Sequence, residues 1–544
     1  MAYQTRLTPQ LIDRYRKRGD WRAETFFDLL SAQAARVPER TALVDRFRRT
    51  SYGALKTDVE RMAAVLKAQG IGRGDVITVQ LPNWIDYAHV FFAAELVGAV
   101  VNKVNPDFRA REMEFILGFS ESKGWVAPVE FRGFDYPAMM RTLKPKLPGL
   151  KMLGLVGDAV PDGFVDMRAE LAKAKPLPAA DRVRMSADEI FRMAFTSGTT
   201  GDPKSVLHSV NTTLPALRHL TRDMQATEKD VFLIWLPIGL NWGYLVLGQA
   251  LILGATVVLQ DRFSAEAALE LIERERASFI PTAPASIIAL LNSPKLATTD
   301  VSSLRVVITG GASCPVETLR DFQRRVPTAR LIELYGMLET GYHTYTRLTD
   351  DAEKVNGTIG RLVEGMDLRL LDEAGNDVPK GAQGEIACDG PSLHLGYNKN
   401  PTANAELFTA DGWFRTGDLG EYADAAGNVR IVGRRKEIIN RGGKKFFPRE
   451  IEEILYTHPK VLHAAIVGVT DPRLGERNCL CLIPKEGQTA TLDEFVDFLK
   501  GEVATYKLPE MLEVFDELPF TPTGKLRRHV LTEWVQQRRA GTAA

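Results

Sequence analysis

This chain has few cysteines, and its positive and negative charges are equal in number. Only four of the 544 residues are cysteines. The two that lie close together, Cys479 and Cys481, stand in an alternating apolar run, which favours strand residues over a metal site. So few cysteines exclude a small disulfide-rich scaffold and favour a reducing, cytoplasmic compartment. Lysine plus arginine equals aspartate plus glutamate at 69 each, which excludes the basic footprint of a nucleic-acid-binding protein.

Long apolar runs are also rare. Residues 242–259 are the one stretch that approaches the character of a membrane segment. Gly254 interrupts this stretch and residues 256–259 are mostly β-branched, so a buried helix followed by a buried strand fits better than a span. The first twenty residues lack the apolar core of a signal peptide, and the last four carry no targeting or lipidation signal. We therefore expect no export, no membrane association and small-molecule partners.

The length exceeds that of one ordinary domain, and the local patterns divide it. Strand and helix patterns alternate from about residue 55 to residue 340, which predicts parallel sheets with helices on their faces in two similar halves. Short strands with turn signals follow after residue 357, and a small α+β pattern begins near residue 433. The predicted fold class is α/β: a large domain of two parallel-type sheet subdomains plus a small β subdomain over residues 1–435, then a small α+β domain over residues 436–544.

Residues 195–206 form a glycine- and hydroxyl-rich loop with one lysine near its end. Glycines let successive backbone N–H groups face one anion, hydroxyls add donors, and a lysine adds positive charge. The spacing differs from that of a P-loop NTPase, because Pro203 precedes the lysine. The candidate phosphate-binding residues are Thr196, Ser197, Gly198, Thr199, Thr200, Gly201 and Lys204.

Two predicted strands end in segments that let a flat ligand approach the backbone. The first runs into Gly310, Gly311 and Ala312, and the second ends at Tyr335, Gly336 and Met337. Because ligands of open α/β sheets bind outside the carboxyl ends of the strands, both segments are candidate walls of a ligand site.

Four further clusters follow the loop in a fixed order, and they lie at residues 335–340, 413–418, 433–452 and 518–525. Together with the loop they resemble the adenylate-forming enzymes: acyl- and aryl-CoA synthetases, adenylation domains of peptide synthetases, and firefly luciferase. The resemblance extends from about Thr25 to Arg528. It implies an ATP-dependent acid-thiol ligase that forms an acyl-adenylate and then a CoA thioester, with ATP, Mg²⁺ and coenzyme A as its cofactors and co-substrates.

A carboxylate needs no general base to attack ATP, since it is already ionised near neutral pH, and the obstacle is repulsion between two anions. Unit charges at about 4 Å interact by roughly 4 kcal/mol at an effective dielectric constant of 20, so well-placed cations supply much of the catalysis. By resemblance, the loop binds the β- and γ-phosphates, Glu339 helps to hold magnesium, and Asp418 accepts the ribose hydroxyls. Lys525 bridges the carboxylate and the α-phosphate, and Arg434 adds a further positive charge.

The resemblance also implies a mobile small domain. Lys436 matches the hinge about which that domain rotates, and the loop containing Gly442 and Gly443 swings in to line the pantetheine tunnel. The rotation takes Lys525 away after adenylation, a domain closure of the hinge type.

Three positions depart from the family pattern. Ser205 stands where glycine is usual, and Leu240 where many relatives carry histidine. Leu338 replaces a threonine or serine whose hydroxyl normally donates to the α-phosphate, which is the most consequential of the three. These departures keep open a non-catalytic adenylate-binding protein as an alternative from another functional class.

The expected acid is compact. No aspartate that could pair with an amine lies near Asn241, which disfavours an α-amino acid. Asn241 and residues 15–21 are similar to the branch of the family that activates ring acids, so we expect a cyclohexanecarboxylate-like or benzoate-like acid. The alternatives are an aryl-acid-AMP ligase that loads a carrier protein and a short- or medium-chain fatty acid-CoA ligase; a homo-oligomer is possible. The predicted acyl-pocket residues are Leu240, Asn241, Trp242, Gly310, Gly336 and Met337.

Overall fold

The computed structural model describes residues 3–196, 203–312, 314–521 and 526–542. The helices are α1 Pro9–Arg18, α2 Phe26–Arg36, α3 Tyr52–Ala68, α4 Ile85–Val97, α5 Ala110–Phe119, α6 Tyr136–Leu143, α7 Met167–Lys173, α8 Leu214–Asp223, α9 Asn241–Leu253, α10 Ala265–Glu275, α11 Pro284–Asn292, α12 Val316–Arg325, α13 Ala352–Gly357, α14 Pro401–Glu406, α15 Pro448–Leu455, α16 Leu492–Leu499 and α17 Arg528–Thr542.

The strands follow the same chain order. They are β1 Thr41–Val44, β2 Arg49–Ser51, β3 Val76–Val79, β4 Val100–Lys103, β5 Gly124–Pro128, β6 Glu130–Phe131, β7 Phe134–Asp135, β8 Met152–Val156, β9 Val165–Asp166, β10 Ile190–Phe195, β11 Ser205–Ser209, β12 Val231–Ile234, β13 Thr256–Leu259, β14 Phe279–Thr282, β15 Val306–Gly310, β16 Arg330–Met337, β17 Gly341–Tyr345, β18 Arg361–Leu362, β19 Asp367–Leu371, β20 Gly384–Asp389, β21 Phe414–Tyr422, β22 Val429–Arg434, β23 Ile439–Arg441, β24 Lys444–Phe446, β25 Val461–Asp471, β26 Gly475–Pro484 and β27 Met511–Val514.

Two mixed sheets with a largely parallel core form the body of the molecule. One has the strand order β18-β17-β16-β15-β14-β12-β13-β1-β2, and the other has the order β11-β10-β4-β3-β5-β8-β9. Helix α4 is buried along its whole length, as expected for a helix that is apolar on all sides. The predicted α/β class with two sheet subdomains is confirmed.

Two smaller sheets complete the chain. Strands β19 to β22 form an antiparallel meander in the region where the sequence predicts a small β subdomain. Beyond it, β23 to β27 form a mixed sheet that packs with α15, α16 and α17 in separate apolar clusters. This arrangement matches the predicted order of a large α/β body followed by a small α+β unit.

Residues 242–259 fold as predicted from their composition. Helix α9 ends before Gly254, which adopts a left-handed conformation with φ of 76°, and the buried strand β13 follows. Glycine takes that conformation without the steric cost of a Cβ. Among the helices of the described residues, no helix combines the length and the apolar character needed to cross a bilayer.

One predicted helix is too long. The sequence suggests a helix from Thr491 to Val503, whereas α16 ends at Leu499. Lys500 is extended and Gly501 has φ of 88°, so the backbone leaves the helix there. Thr491 accepts a hydrogen bond from the Glu494 backbone N–H, which is the N-terminal half of the predicted capping box.

Candidate active site

The predicted phosphate loop connects two antiparallel neighbours, β10 and β11. Its two ends are tied together, because the Thr196 N–H donates to the Lys204 carbonyl at 2.9 Å and the Lys204 N–H donates to Thr196 Oγ1 at 3.1 Å. Of the predicted loop residues, Ser197, Gly198, Thr199, Thr200 and Gly201 lie outside the described residues. The two described ends fix where the loop leaves and re-enters the sheet.

Ser205, the first departure from the family pattern, is fully buried at the start of β11. Its Oγ has no hydrogen-bond partner, while its carbonyl accepts from the Asn398 N–H at 2.8 Å. The backbone of Ser205 therefore pairs normally, and the structure assigns its hydroxyl no task.

Gly310 and Gly336 lie where only a residue without a side chain fits. A methyl group at Gly310 would lie 2.2 Å from the Leu334 carbonyl oxygen, and one at Gly336 would lie 2.1 Å from the Gly341 carbonyl oxygen. Both distances are well inside van der Waals contact. Gly311 has φ of 78°, which favours glycine for a different reason. Both predicted ligand walls thus have bare backbone at strand ends.

The predicted acyl-pocket residues of β16 and of the start of α9 are more exposed than the buried residues next to them in the chain. Strand β16 is buried from Leu331 to Leu334 and half-buried from Tyr335 to Met337. On α9, Leu240, Asn241 and Trp242 are half-buried, whereas the helix beyond them is buried. The Trp242 ring lies 3.1 Å from where a Cβ on Gly310 would be, so these two segments pack directly against each other.

Asp418 lies between the two neighbours that hold it. The Tyr335 hydroxyl donates to Asp418 Oδ2 at 2.7 Å, and Arg434 Nε lies 2.9 Å from Oδ1. The pairing of β21 with β22 places Asp418 directly opposite Arg434. Burial and then the Asp418 charge raise the pKa of Tyr335 far above its usual value, so this phenol remains a donor. The Asp418 carboxylate also raises the pKa of Arg434.

Glu339 is buried and held by a residue that sequence reasoning missed. The Tyr397 hydroxyl donates to Glu339 Oε1 at 3.0 Å, and Lys204 Nζ lies 5.4 Å from the centre of the same tyrosine ring. Tyr397 stands in the segment Gly396-Tyr397-Asn398, which has no hydrophobic periodicity and belongs to none of the predicted motifs. Within the described ranges, no group of three or more histidine, cysteine or acidic residues has the arrangement of a metal centre.

Leu338, the most consequential departure from the family pattern, is held by two contacts. Its side chain packs against an apolar cluster that includes Val206, Tyr397 and Phe414. Its carbonyl oxygen lies 2.7 Å from His208 Nε2. Burial, followed by the charge of Arg192, lowers the pKa of His208 well below its usual value, so the imidazole is neutral and donates to this carbonyl.

The predicted hinge and tunnel residues lie in exposed backbone. Lys436 is in a short 3₁₀ turn that directly follows β22. Gly442 and Gly443 have φ of 60° and 83° and form the two-residue turn between β23 and β24. Two positive φ values are what a tight hairpin of this type requires.

Lys525 lies outside the described residues, but the chain on both sides of it is held in place. Phe520 pairs with Leu526 in an isolated bridge. Arg528 Nη1 and Nη2 each lie 2.7 Å from a Glu452 oxygen, and Arg528 Nε lies 3.1 Å from Glu437 Oε2. Arg528 thus joins the start of α17 to the segment just after Lys436.

Comparisons with known proteins agree with this arrangement. Residues 30–398 match the family model of the AMP-binding enzymes, and residues 450–525 match the model of the AMP-binding enzyme C-terminal domain. The chain is 32% identical over 529 residues to a medium-chain fatty-acid-CoA ligase of Escherichia coli K12, covering 96% of this chain and 93% of that protein.

Relatives that act on ring acids are equally similar. A 2,3-dihydroxybenzoate-AMP ligase of Bacillus subtilis 168 is 32% identical over 534 residues, covering 97% of each chain. The crystal structure of an anthranilate-CoA ligase in complex with anthranoyl-AMP superposes with a TM-score of 0.88 at 22% identity, covering 96% of this chain and 99% of that one. At this identity the superposition establishes the shared fold.

Proposed function

This chain belongs to the AMP-binding enzymes, adenylate-forming acid ligases that use ATP, Mg²⁺ and CoA, and we propose that its acid is an alicyclic or aromatic ring acid that it converts to a CoA thioester. The observation that carries the ring-acid proposal is the close approach of Trp242 to Gly310. The indole packs directly on Gly310 and closes that side of the predicted acyl pocket, which favours a compact ring acid over a long linear chain.

We assign the nucleotide side of the site to Asp418 and its neighbours. A carboxylate offers about four lone-pair positions, and Tyr335 and Arg434 each engage one oxygen of Asp418. The remaining positions suit two ribose hydroxyls. Bare backbone at Gly336 and Gly311 allows the adenine ring to lie close to the sheet edge, where a side chain would collide.

The phosphate side is assigned to the loop and to Glu339. Thr196 and Lys204 close the loop at its base. Lys204 Nζ lies over the ring of Tyr397, and the hydroxyl of this tyrosine donates to Glu339. Glu339 fits a magnesium ligand, since it is buried and its carboxylate accepts a hydrogen bond from the Tyr397 hydroxyl. A bound Mg²⁺ supplies positive charge that offsets the triphosphate. The positive charges of Lys204 and Arg434 also reduce the repulsion between the triphosphate and the substrate carboxylate, and Lys525 does so next to the reacting carboxylate.

Pyrophosphate release from ATP with a panel of acids tests this proposal. Cyclohexanecarboxylate, cyclohex-1-enecarboxylate and benzoate should give a higher kcat/KM than linear acids of ten or more carbons. Mass spectrometry of the product should then identify the CoA thioester. A preference for the long linear acids would overturn the ring-acid proposal, and it would favour a fatty acid-CoA ligase.

A second candidate acceptor is a carrier protein, because one of the relatives is an aryl-acid-AMP ligase. The two acceptors are distinguished by supplying CoA alone. Rapid adenylate formation without any thioester would favour a carrier protein that bears phosphopantetheine. The non-catalytic alternative has no support, since the similar proteins are ligases.

A further inference from the structure

Two cationic side chains that the ligation chemistry does not use are buried next to each other in the large domain. Lys103 ends β4 and Arg192 lies in β10, and these strands are parallel neighbours. In their register Ala194 lies beside Lys103, so Arg192 and Lys103 point to the same face of the sheet. Both residues are 1% exposed.

Neither cation has an anionic partner among the described residues. Lys103 Nζ and two nitrogens of Arg192, Nε and Nη1, have no hydrogen-bond acceptor. The third, Arg192 Nη2, reaches Thr213 Oγ1 at 3.4 Å. The centre of the Tyr244 ring lies 3.6 Å from Lys103 Nζ and 4.6 Å from Arg192 Cζ, so both cations contact the same ring.

Burying these two cations without an anionic partner is unfavourable in free energy. An unpaired charge in a protein interior loses several kcal/mol of solvation free energy, and a second like charge nearby adds repulsion. Burial, followed by the charge of Arg192, lowers the pKa of Lys103 well below its usual value. A bound carboxylate would reverse both effects, because it would accept the free N–H groups and offset the charge.

The cations lie against elements that also form the candidate active site. Strand β10 continues into the phosphate loop four residues after Arg192. Tyr244 lies on α9 one helical turn after Asn241, whose buried Oδ1 also has no partner. The loop that leads into α9 packs on the chain next to Lys103, since a methyl group on Gly239 would lie 2.2 Å from the Val104 carbonyl oxygen.

We propose that Lys103 and Arg192 form an anion subsite at the inner end of the acyl pocket, and that this subsite binds a second carboxylate of the acid substrate. The enzyme would then act on ring dicarboxylic acids, with one carboxylate activated by ATP and the other bound by the two cations. This inference rests on the proposed ligase function and names its substrate class. A monoacid leaves the two charges unpaired, which gives a physical basis for discrimination.

Matched pairs of acids test the subsite. The pairs are benzoate with isophthalate and terephthalate, and cyclohexanecarboxylate with its 1,3- and 1,4-dicarboxylates. In each series kcat/KM for pyrophosphate release should be about tenfold or more higher for at least one diacid than for the monoacid. Equal or lower values for all diacids would overturn the proposal.

Variants connect that preference to the two residues. Lys103→Met and Arg192→Met should each lower the ratio of diacid to monoacid kcat/KM by about tenfold or more, and Lys103→Arg and Arg192→Lys should restore part of it. Lys123→Met is the control, because Lys123 directly precedes β5 of the same sheet, pairs with Asp75 at 2.8 Å and has no assigned role in the site. An unchanged ratio in both methionine variants would overturn the assignment, and if these variants do not fold, an unchanged ratio in both Lys103→Gln and Arg192→Gln would do so.

Thermal unfolding without ATP separates this inference from the proposed ligase function. A diacid should raise the melting temperature of the wild-type protein and not that of Lys103→Met. Chloride and phosphate form separate arms, and an equal rise with these ions would show a site for inorganic anions and overturn the substrate assignment. If monoacids release pyrophosphate while diacids neither react nor stabilise, the subsite is wrong and the ligase function stands. If no acid reacts but diacids still stabilise through Lys103, the ligase proposal fails and the subsite stands.

Discussion

The nucleotide side of the candidate site and the side that carries Lys525 are built differently. On the first side, Asp418 is held by Tyr335 of β16 and Arg434 of β22, which come from two different sheets of the large body. On the second side, Lys525, the proposed reactive lysine, lies outside the described residues, in a segment whose far flank is anchored within the small unit through Arg528, Glu437 and Glu452. Sheet register fixes the pairing of Asp418 with Arg434, and we propose that the small unit moves as a body.

Among the described residues, one close packing contact joins the two sides near Lys436. Phe447 of the small unit packs against Gly433, where a methyl group would lie 2.2 Å from the phenyl ring. We propose that the small unit rotates about the joint near Lys436, next to this contact. We therefore predict that substitutions on the side that carries Lys525 affect one half-reaction. Substitutions on the nucleotide side around Asp418, called the fixed side below, should affect nucleotide binding itself.

The largest effect should come from Lys525→Ala. We expect adenylation to fall by about a thousandfold or more, because the charge that offsets the carboxylate and the α-phosphate is lost. Thioester formation from supplied acyl-AMP should remain close to wild type, since that half-reaction does not need this charge. Single-turnover assays of each half-reaction measure both effects, and Lys500→Ala, an exposed lysine that pairs only with Asp497, is the control. Equal losses in the two half-reactions would contradict the predicted division.

Asp418→Asn should produce the next largest effect. The amide keeps the shape of the side chain but loses the negative charge, so the ion pair with Arg434 and the acceptors for the ribose are both weakened. We expect kcat/KM for ATP to fall by roughly a hundredfold, mostly through KM. Tyr335→Phe removes one neutral donor to the same carboxylate and should cost less. An unchanged KM for ATP in Asp418→Asn would remove Asp418 from the nucleotide side.

Tyr397→Phe tests whether a residue outside the family motifs helps to orient Glu339 on the fixed side. The substitution removes one hydrogen bond to a charged group, and such bonds contribute about 1.5 to 3 kcal/mol. Glu339 would then be oriented less well, and we expect the Mg²⁺ concentration for half-maximal adenylation to rise by about thirtyfold. Tyr422→Phe alters an exposed tyrosine and is the matched control. A loss of kcat at saturating Mg²⁺ without any change in the Mg²⁺ dependence would show that Tyr397 acts elsewhere.

The sequence predicts the local elements far better than their neighbours in space. Residues 85–97 form a helix and residues 279–282 form a strand, and the local composition and flanking residues of each segment are enough to predict it. The pairing of β10 with β4, about ninety residues apart, has no signal in a single sequence. That pairing is what brings Lys103 close to Arg192.

The same reason explains which site residues were missed. Asp418, Glu339 and the loop belong to motifs that can be recognised along the chain. Tyr397 and His208 contribute through contacts with residues 58 and 130 positions away. A tyrosine in a turn and a histidine in a buried strand carry no local pattern that points to those contacts.

Leu338→Thr should have the smallest effect and the opposite sign. A leucine cannot donate to phosphate, so the transition state lacks one charge-assisted hydrogen bond, and a threonine should raise kcat/KM for adenylation by about tenfold. The gain is limited because Leu338 packs against Val206, Tyr397 and Phe414, and a threonine there should cost about 1 to 2 kcal/mol of stability.

The two consequences are measured separately, with single-turnover adenylation of two acids of different width and with thermal unfolding. A rate that rises equally with both acids while the melting temperature falls would support a missing phosphate donor on the fixed side. A rate that changes with only one acid would instead place the Leu338 side chain in the acyl pocket. Because His208 holds the Leu338 carbonyl, the backbone should stay in place in either case, and an unchanged or lower rate with both acids would show that no missing donor limits adenylation.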